Sequence, residues 1–97
     1  MTTIVIVEVK AKQGSVEDLL ATFSKLTPVA RNTEGNISLD LIRDQDDSDV
    51  IILYEKWETR DHYEKYLSRF EERGNMKILE TLLEGDARIR YFDVTSV

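Results

Sequence analysis

An α+β fold on a four-stranded antiparallel sheet is predicted by three features of the sequence. Short runs rich in β-branched and apolar residues recur along the chain, as in TIVIVEVK near the start and VIILYEKW at Val50 to Trp57. Between them lie segments whose apolar residues repeat at helical spacing. Glycine-containing or polar connections separate the two kinds of segment and are short. The resulting order is βαββααβ, over one domain spanning residues 1–97.

The first strand covers about Thr3 to Lys10, with Ile4, Val5, Ile6, Val7 and Val9 supplying apolar residues to both faces. Gly14 closes the connection, and Ser15 with Asp18 reads as a capping box for the first helix. Val16, Leu19, Leu20, Phe23 and Leu26 form its apolar stripe. Pro28 falls inside this pattern, so a kink or break is expected near Thr27, and Gly35 is expected to stop the helix. The second strand runs about Asn36 to Arg43, with Ile37, Leu39 and Leu41 on one face. The acidic run Asp44 to Asp49 is a hairpin connection, and the third strand is Val50 to Trp57. Thr59 caps a second helix whose face is Tyr63, Tyr66, Leu67 and Phe70. Gly74 and Asn75 interrupt it. A third helix then carries Met76, Leu79, Leu82 and Leu83 and stops at Gly85, before a last strand from about Ala87 to Val94. This order gives ferredoxin-like topology.

Composition excludes several classes of function. The hydrophobic fraction of 41% suits a globular chain. A net charge of −6 without a basic stripe argues against nucleic-acid binding. No basic amphipathic helix or membrane-length apolar run appears, so no membrane partner is expected. The absence of cysteine removes disulfides, thiolate catalysis and thiolate metal sites, and fits a cytoplasmic protein. Asp44, Asp46, Ser48 and Glu55 have the spacing of a calcium loop, but Asp49 stands where that loop needs glycine and strands flank the segment. No metal site is expected.

The sheet raises a covering problem. Helices in this order pack on one face, yet the first and third strands are apolar on both, and Phe92 and Val94 lie opposite Ile89 and Tyr91. A second copy, sheet against sheet, is the simplest cover. A homodimer forming a dimeric α/β barrel is therefore expected.

The pattern of opening strand, glycine, capped helix, Glu34-Gly35, polar hairpin and Leu53-Tyr54-Glu55-Lys56-Trp57-Glu58-Thr59-Arg60 resembles the antibiotic biosynthesis monooxygenase domain family, including its quinol monooxygenase-like members. The resemblance runs over essentially the whole chain. It implies a cofactor-independent oxygenase for a small aromatic substrate, in which an apolar pocket favours the substrate anion and that anion passes an electron to dioxygen. It also implies that Trp57 and Tyr63 are pocket residues. Leu53 stands where oxygenase members can carry an asparagine that binds substrate or dioxygen. Tyr66 stands where many members have histidine. Val7 stands where the haem-degrading branch needs asparagine, which argues against that activity. An isomerase or lyase on the same scaffold, or a non-catalytic small-molecule-binding dimer, are the alternatives.

Each candidate residue has a plainer reading beside the functional one. Trp57 is either a pocket wall or a core aromatic. Tyr63 and Tyr66 are either packing residues or hydroxyl donors to substrate. His62 is either a general base or a solvated helix residue. Glu55 shares strand parity with Leu53 and Trp57. It is either a buried base with a raised pKa or, as preferred here, a partner of Arg88 or Arg90 across the sheet.

Overall fold

A computed structural model describes residues 2–97. The elements are β1 (Thr3–Lys10), α1 (Val16–Arg31), β2 (Asn36–Arg43), β3 (Val50–Trp57), α2 (Arg60–Glu72), α3 (Asn75–Glu80) and β4 (Arg88–Asp93). The strands form one antiparallel sheet in the order β2-β3-β1-β4. This is the ferredoxin-like α+β arrangement. Among the described residues, no helix is long and apolar enough to cross a membrane.

Register decides which side chains share a face. Val5 pairs with Glu55 and Tyr91, and Val7 with Leu53 and Ile89. Leu39 and Leu41 stand opposite Glu55 and Leu53. Strand alternation puts all of these on one face together with Val9, Ile51 and Trp57. That face carries the helices: Val5, Val7, Val9, Ile51 and Trp57 form one buried cluster with Leu19 and Phe23 of α1, Tyr63 of α2 and Leu79 of α3. The other face presents Ile4, Ile6, Ile52, Tyr54, Ile42 and Phe92 among Glu8, Asp40, Lys56, Arg88 and Arg90.

The structure corrects several local expectations. Ser15 is the N-cap of α1 but makes no capping hydrogen bond, because its backbone is already near the helical region (φ −106°, ψ −1°) and not extended as a capping residue's is. Helix α1 also runs unbroken through Pro28 to Arg31. Proline forfeits its own N–H bond to the preceding turn. The C-cap bond from Asn32 N to the Pro28 carbonyl, at 3.1 Å, closes the last turn, and Thr27 and Ala30 are buried on either side of the proline. The end of α1 is tied to edge strand β2 by Arg31, whose Nε and Nη2 donate to the Leu39 carbonyl at 3.2 and 2.8 Å. The helix stops at Asn32, so Gly35 is not its cap.

Gly35 instead makes the turn into β2, at φ +90°, where a side chain is strained. Ile37 does not share a face with Leu39. A bulge between Asn36 and Ser38 leaves it outside the register and 53% exposed. Helix α3 ends at Glu80, before Leu82 and Leu83, and an isolated bridge joins Leu83 to Ala11. Strand β4 is one residue shorter at each end than its apolar pattern suggests, stopping short of Val94. The acidic hairpin is closed locally: Asp44 Oδ1 accepts from the N–H groups of Asp46 and Asp47 at 2.7 and 3.1 Å.

Candidate functional site

The site grows from two adjacent inward positions of β3. Glu55 and Trp57 are two residues apart and so project to the same face, toward the helices. Trp57 Nε1 donates to Glu55 Oε1 at 3.0 Å. The carboxyl is 2% exposed and Trp57 is fully buried. Among the described residues no basic group pairs with Glu55. The expected pairing with Arg88 or Arg90 is thus overturned. Those arginines pair in register with Glu8 and Ile6, so they stand on the opposite face of the sheet.

An unpaired carboxyl in an apolar interior favours its neutral form. Burial pushes the Glu55 pKa up to about 7, and the hydrogen bond from Trp57 partly opposes that rise. Both protonation states are therefore populated near neutral pH.

Helix α2 supplies an aromatic wall. Thr59 caps it, its Oγ1 accepting from His62 N at 3.1 Å, and this fixes the phase that turns Tyr63, Tyr66 and Phe70 inward. The Trp57 ring meets Tyr63 edge-on at 5.7 Å and Tyr66 at 5.4 Å. Burial, then the Glu55 charge, push the Tyr63 phenol far above its ordinary range. The same two causes raise Tyr66 to about 12, opposed by the nearby Arg73. Both hydroxyls stay protonated at neutral pH and can act only as neutral donors or acceptors.

Between this wall and the sheet is a cavity of about 50 Å³. Leu53, Glu55, Tyr63 and Tyr66 line it, with Phe23 and Thr27 of α1 opposite. Trp57 does not reach the cavity and stands behind Glu55. His62 does not reach it either: its Nδ1 is 2.7 Å from Thr59 Oγ1, and its ring lies over Gly35. Four of the six residues picked out in the sequence thus meet at one cavity. The contribution of α1 was missed. The spacing of Leu19, Phe23, Thr27 and Ala30 along one helical face signals it, although a threonine in an apolar stripe hides the signal.

These features define a class: small α+β proteins that enclose an apolar, carboxyl-bearing cavity between one antiparallel sheet and its helices. The chain belongs to the antibiotic biosynthesis monooxygenase family, whose profile matches residues 2–71. Solved structures share the fold across their length. A Pseudomonas aeruginosa protein is 25% identical, with TM-score 0.80, covering 98% of this chain and 95% of its own. A Mycobacterium tuberculosis protein is 15% identical, with TM-score 0.87, covering 100% and 98%. A Nitrosomonas europaea protein provisionally named an antibiotic biosynthesis monooxygenase is 15% identical, with TM-score 0.89, covering 98% and 91%. No curated protein matches the chain in sequence.

Proposed function

We propose that the protein is a cofactor-independent monooxygenase that oxidises a small electron-rich aromatic, a quinol or phenol, with dioxygen. The Glu55 carboxyl carries this reading: it is buried, held by Trp57, and raised to about 7 at the wall of an otherwise apolar cavity. A base with a pKa near ambient pH is matched to taking a phenolic proton. The phenolate passes one electron to dioxygen. The aryloxyl radical and superoxide combine at a ring carbon that bears hydrogen, forming a C–O bond. Protonated Glu55 returns its proton to the peroxide anion. Loss of the ring C–H proton with hydroxide then releases water and leaves a quinone carbonyl, so phenol and dioxygen give quinone and water. Tyr63 and Tyr66 supply neutral hydroxyls for the developing oxyanion. Leu53 keeps the wall apolar and Trp57 positions Glu55, while His62, held by Thr59 over Gly35, stands outside the cavity.

Oxygen uptake with a reduced naphthoquinone tests this. Glu55→Gln is expected to lower the rate by roughly 10²-fold or more, the scale of general-base catalysis. His62→Ala is expected to stay near wild type. Background-level uptake by the wild type itself would remove the oxygenase reading.

A second reading is supported by Leu53, an apolar residue where an oxygenase can place an oxygen-binding amide. An isomerase or lyase would use Glu55 to move a proton, and would incorporate solvent deuterium into product without consuming oxygen. A non-catalytic binder would show ligand-dependent thermal stabilisation and no turnover. In each reading the protein is a cytoplasmic homodimer, supported by the apolar residues on the sheet face away from the helices and by the lack of cysteine.

A further inference from the structure

A second concavity adjoins the cavity. It is a groove of about 630 Å³ between the C-terminal halves of α1 and α2, within the size range of small-molecule sites. Leu26, Tyr66 and Phe70 line both spaces and so stand between them. The inner cavity alone, at about 50 Å³, is far smaller than the ~150 Å³ cavity that accepts benzene. An aromatic ring enters only if these side chains swing aside and the two spaces join. Tyr66 and Phe70 are half-buried, which leaves them room toward the groove.

The groove differs from the cavity in its charge. Arg69, in the last turn of α2, and Arg73, the C-cap one turn further on, line it. Like charges at that spacing repel. In a chain of net charge −6, with Glu71 and Glu72 as near neighbours in sequence, neither guanidinium makes a salt bridge among the described residues. By contrast Arg60 pairs with Glu64, and Arg43 with Glu17. A basic residue near a helix C-terminus is favoured by the macrodipole. That accounts for a cation in this turn, but not for two unpaired ones bordering the same groove. Asn32, Thr33 and Asn75 add neutral hydrogen-bonding side chains, and Glu34 is the single acid on the lining. Arg73 lies near enough to Tyr66 to favour its phenolate, which ties the cationic end to the gate.

We propose that this groove is the anion-binding end of the same substrate site, and that the substrate is an aromatic acid. Its ring passes Tyr66 and Phe70 into the cavity toward Glu55, while its carboxylate is held by Arg69 and Arg73. Planar guanidinium groups suit carboxylate recognition. This inference rests on the aromatic-substrate reading above.

Calorimetric titration with two redox-stable probes tests it: 6-hydroxy-2-naphthoate, and 2-naphthol, which lacks the carboxylate. The acid is expected to bind the wild type about tenfold more tightly than the naphthol at low salt, an advantage worth about one electrostatic contact of this kind. In the Arg69→Gln/Arg73→Gln variant, which alters only exposed side chains, that advantage is expected to fall within about twofold, with the naphthol affinity unchanged. Lys12→Gln, exposed in the connection between β1 and α1 and outside both spaces, is expected to change neither. Equal affinity of the two probes for the wild type, or an advantage that survives in the double variant, overturns the anion subsite and leaves the aromatic site standing. Binding of neither probe overturns both.

Discussion

Glu55 is the residue at which the proposed function works against stability. In an unfolded chain its carboxyl titrates near 4.5, whereas burial holds it near 7 in the fold. Below pH 4.5 both states bind the proton and folding does not depend on it. Between about 4.5 and 7 the folded state binds more protons than the unfolded state, so stability falls as pH rises. Above pH 7 the full cost remains, on the order of 3 kcal/mol for a shift of this size. Glu55→Gln keeps an acceptor for Trp57 and removes the charge. Urea unfolding at fixed protein concentration should find the variant increasingly more stable than wild type from pH 5 to pH 8. A difference that stays flat across that range would mean that Glu55 is not held neutral by its surroundings. Trp57→Phe acts on the same group in the other direction. Without the indole donor the carboxyl pKa should rise, and the pH profile of turnover should move to higher pH while Glu55→Gln abolishes that limb. An unmoved profile would separate Trp57 from the base.

Elements were legible in the sequence where their signal is local. The Val50–Trp57 strand and the Thr59 cap of α2 follow from a β-rich run and one N-cap side chain, and both lie where the pattern puts them. Parity alone placed Leu53, Glu55 and Trp57 on one face. It did not say which face would carry the helices, so the partner of Glu55 was misread. The bulge that expels Ile37 and the continuity of α1 through Pro28 depend on long-range packing, which no local pattern encodes. The turn into β2 is a further case. Gly35 offers its carbonyl to Glu58 N at 2.7 Å, binding the start of β2 to the end of β3, and a Cβ there would collide with the His62 imidazole. Gly35→Ala should destabilise the fold by about 1–3 kcal/mol from backbone strain, and more from the collision. Adding His62→Ala should recover the collision part and leave the strain. Denaturant midpoints of the two single variants and the double variant measure this. A Gly35→Ala protein as stable as wild type would show that the turn relaxes freely.

At the scale of the whole molecule, the sheet remains half covered. On the face away from the helices Ile42 is 50% and Phe92 39% exposed, beside half-buried Ile6, Ile52 and Tyr54. Burial of apolar area contributes roughly 25 cal/mol per Å², so covering several such side chains at once is a substantial drive toward association. Polar groups on this face point the same way. Arg90 Nε is buried with no hydrogen-bond partner among the described residues, a condition that costs about 1–3 kcal/mol unless an acceptor is brought to it. A second copy packed sheet to sheet brings both apolar cover and acceptors such as Glu8 and Asp40, while leaving the cavity and its groove free on the helical side. Ile52 sits in the central strand β3, between Glu8 of β1 and Ile42 of β2, so it falls near the middle of such an interface. Sedimentation equilibrium at micromolar concentration should give twice the mass of one chain for the wild type and a single-chain mass for Ile52→Glu. The variant should keep its helical circular dichroism, because the substitution faces away from the helix-side core. A wild type that sediments as one chain and still unfolds cooperatively would show that this face tolerates water, and the dimer would have to be abandoned.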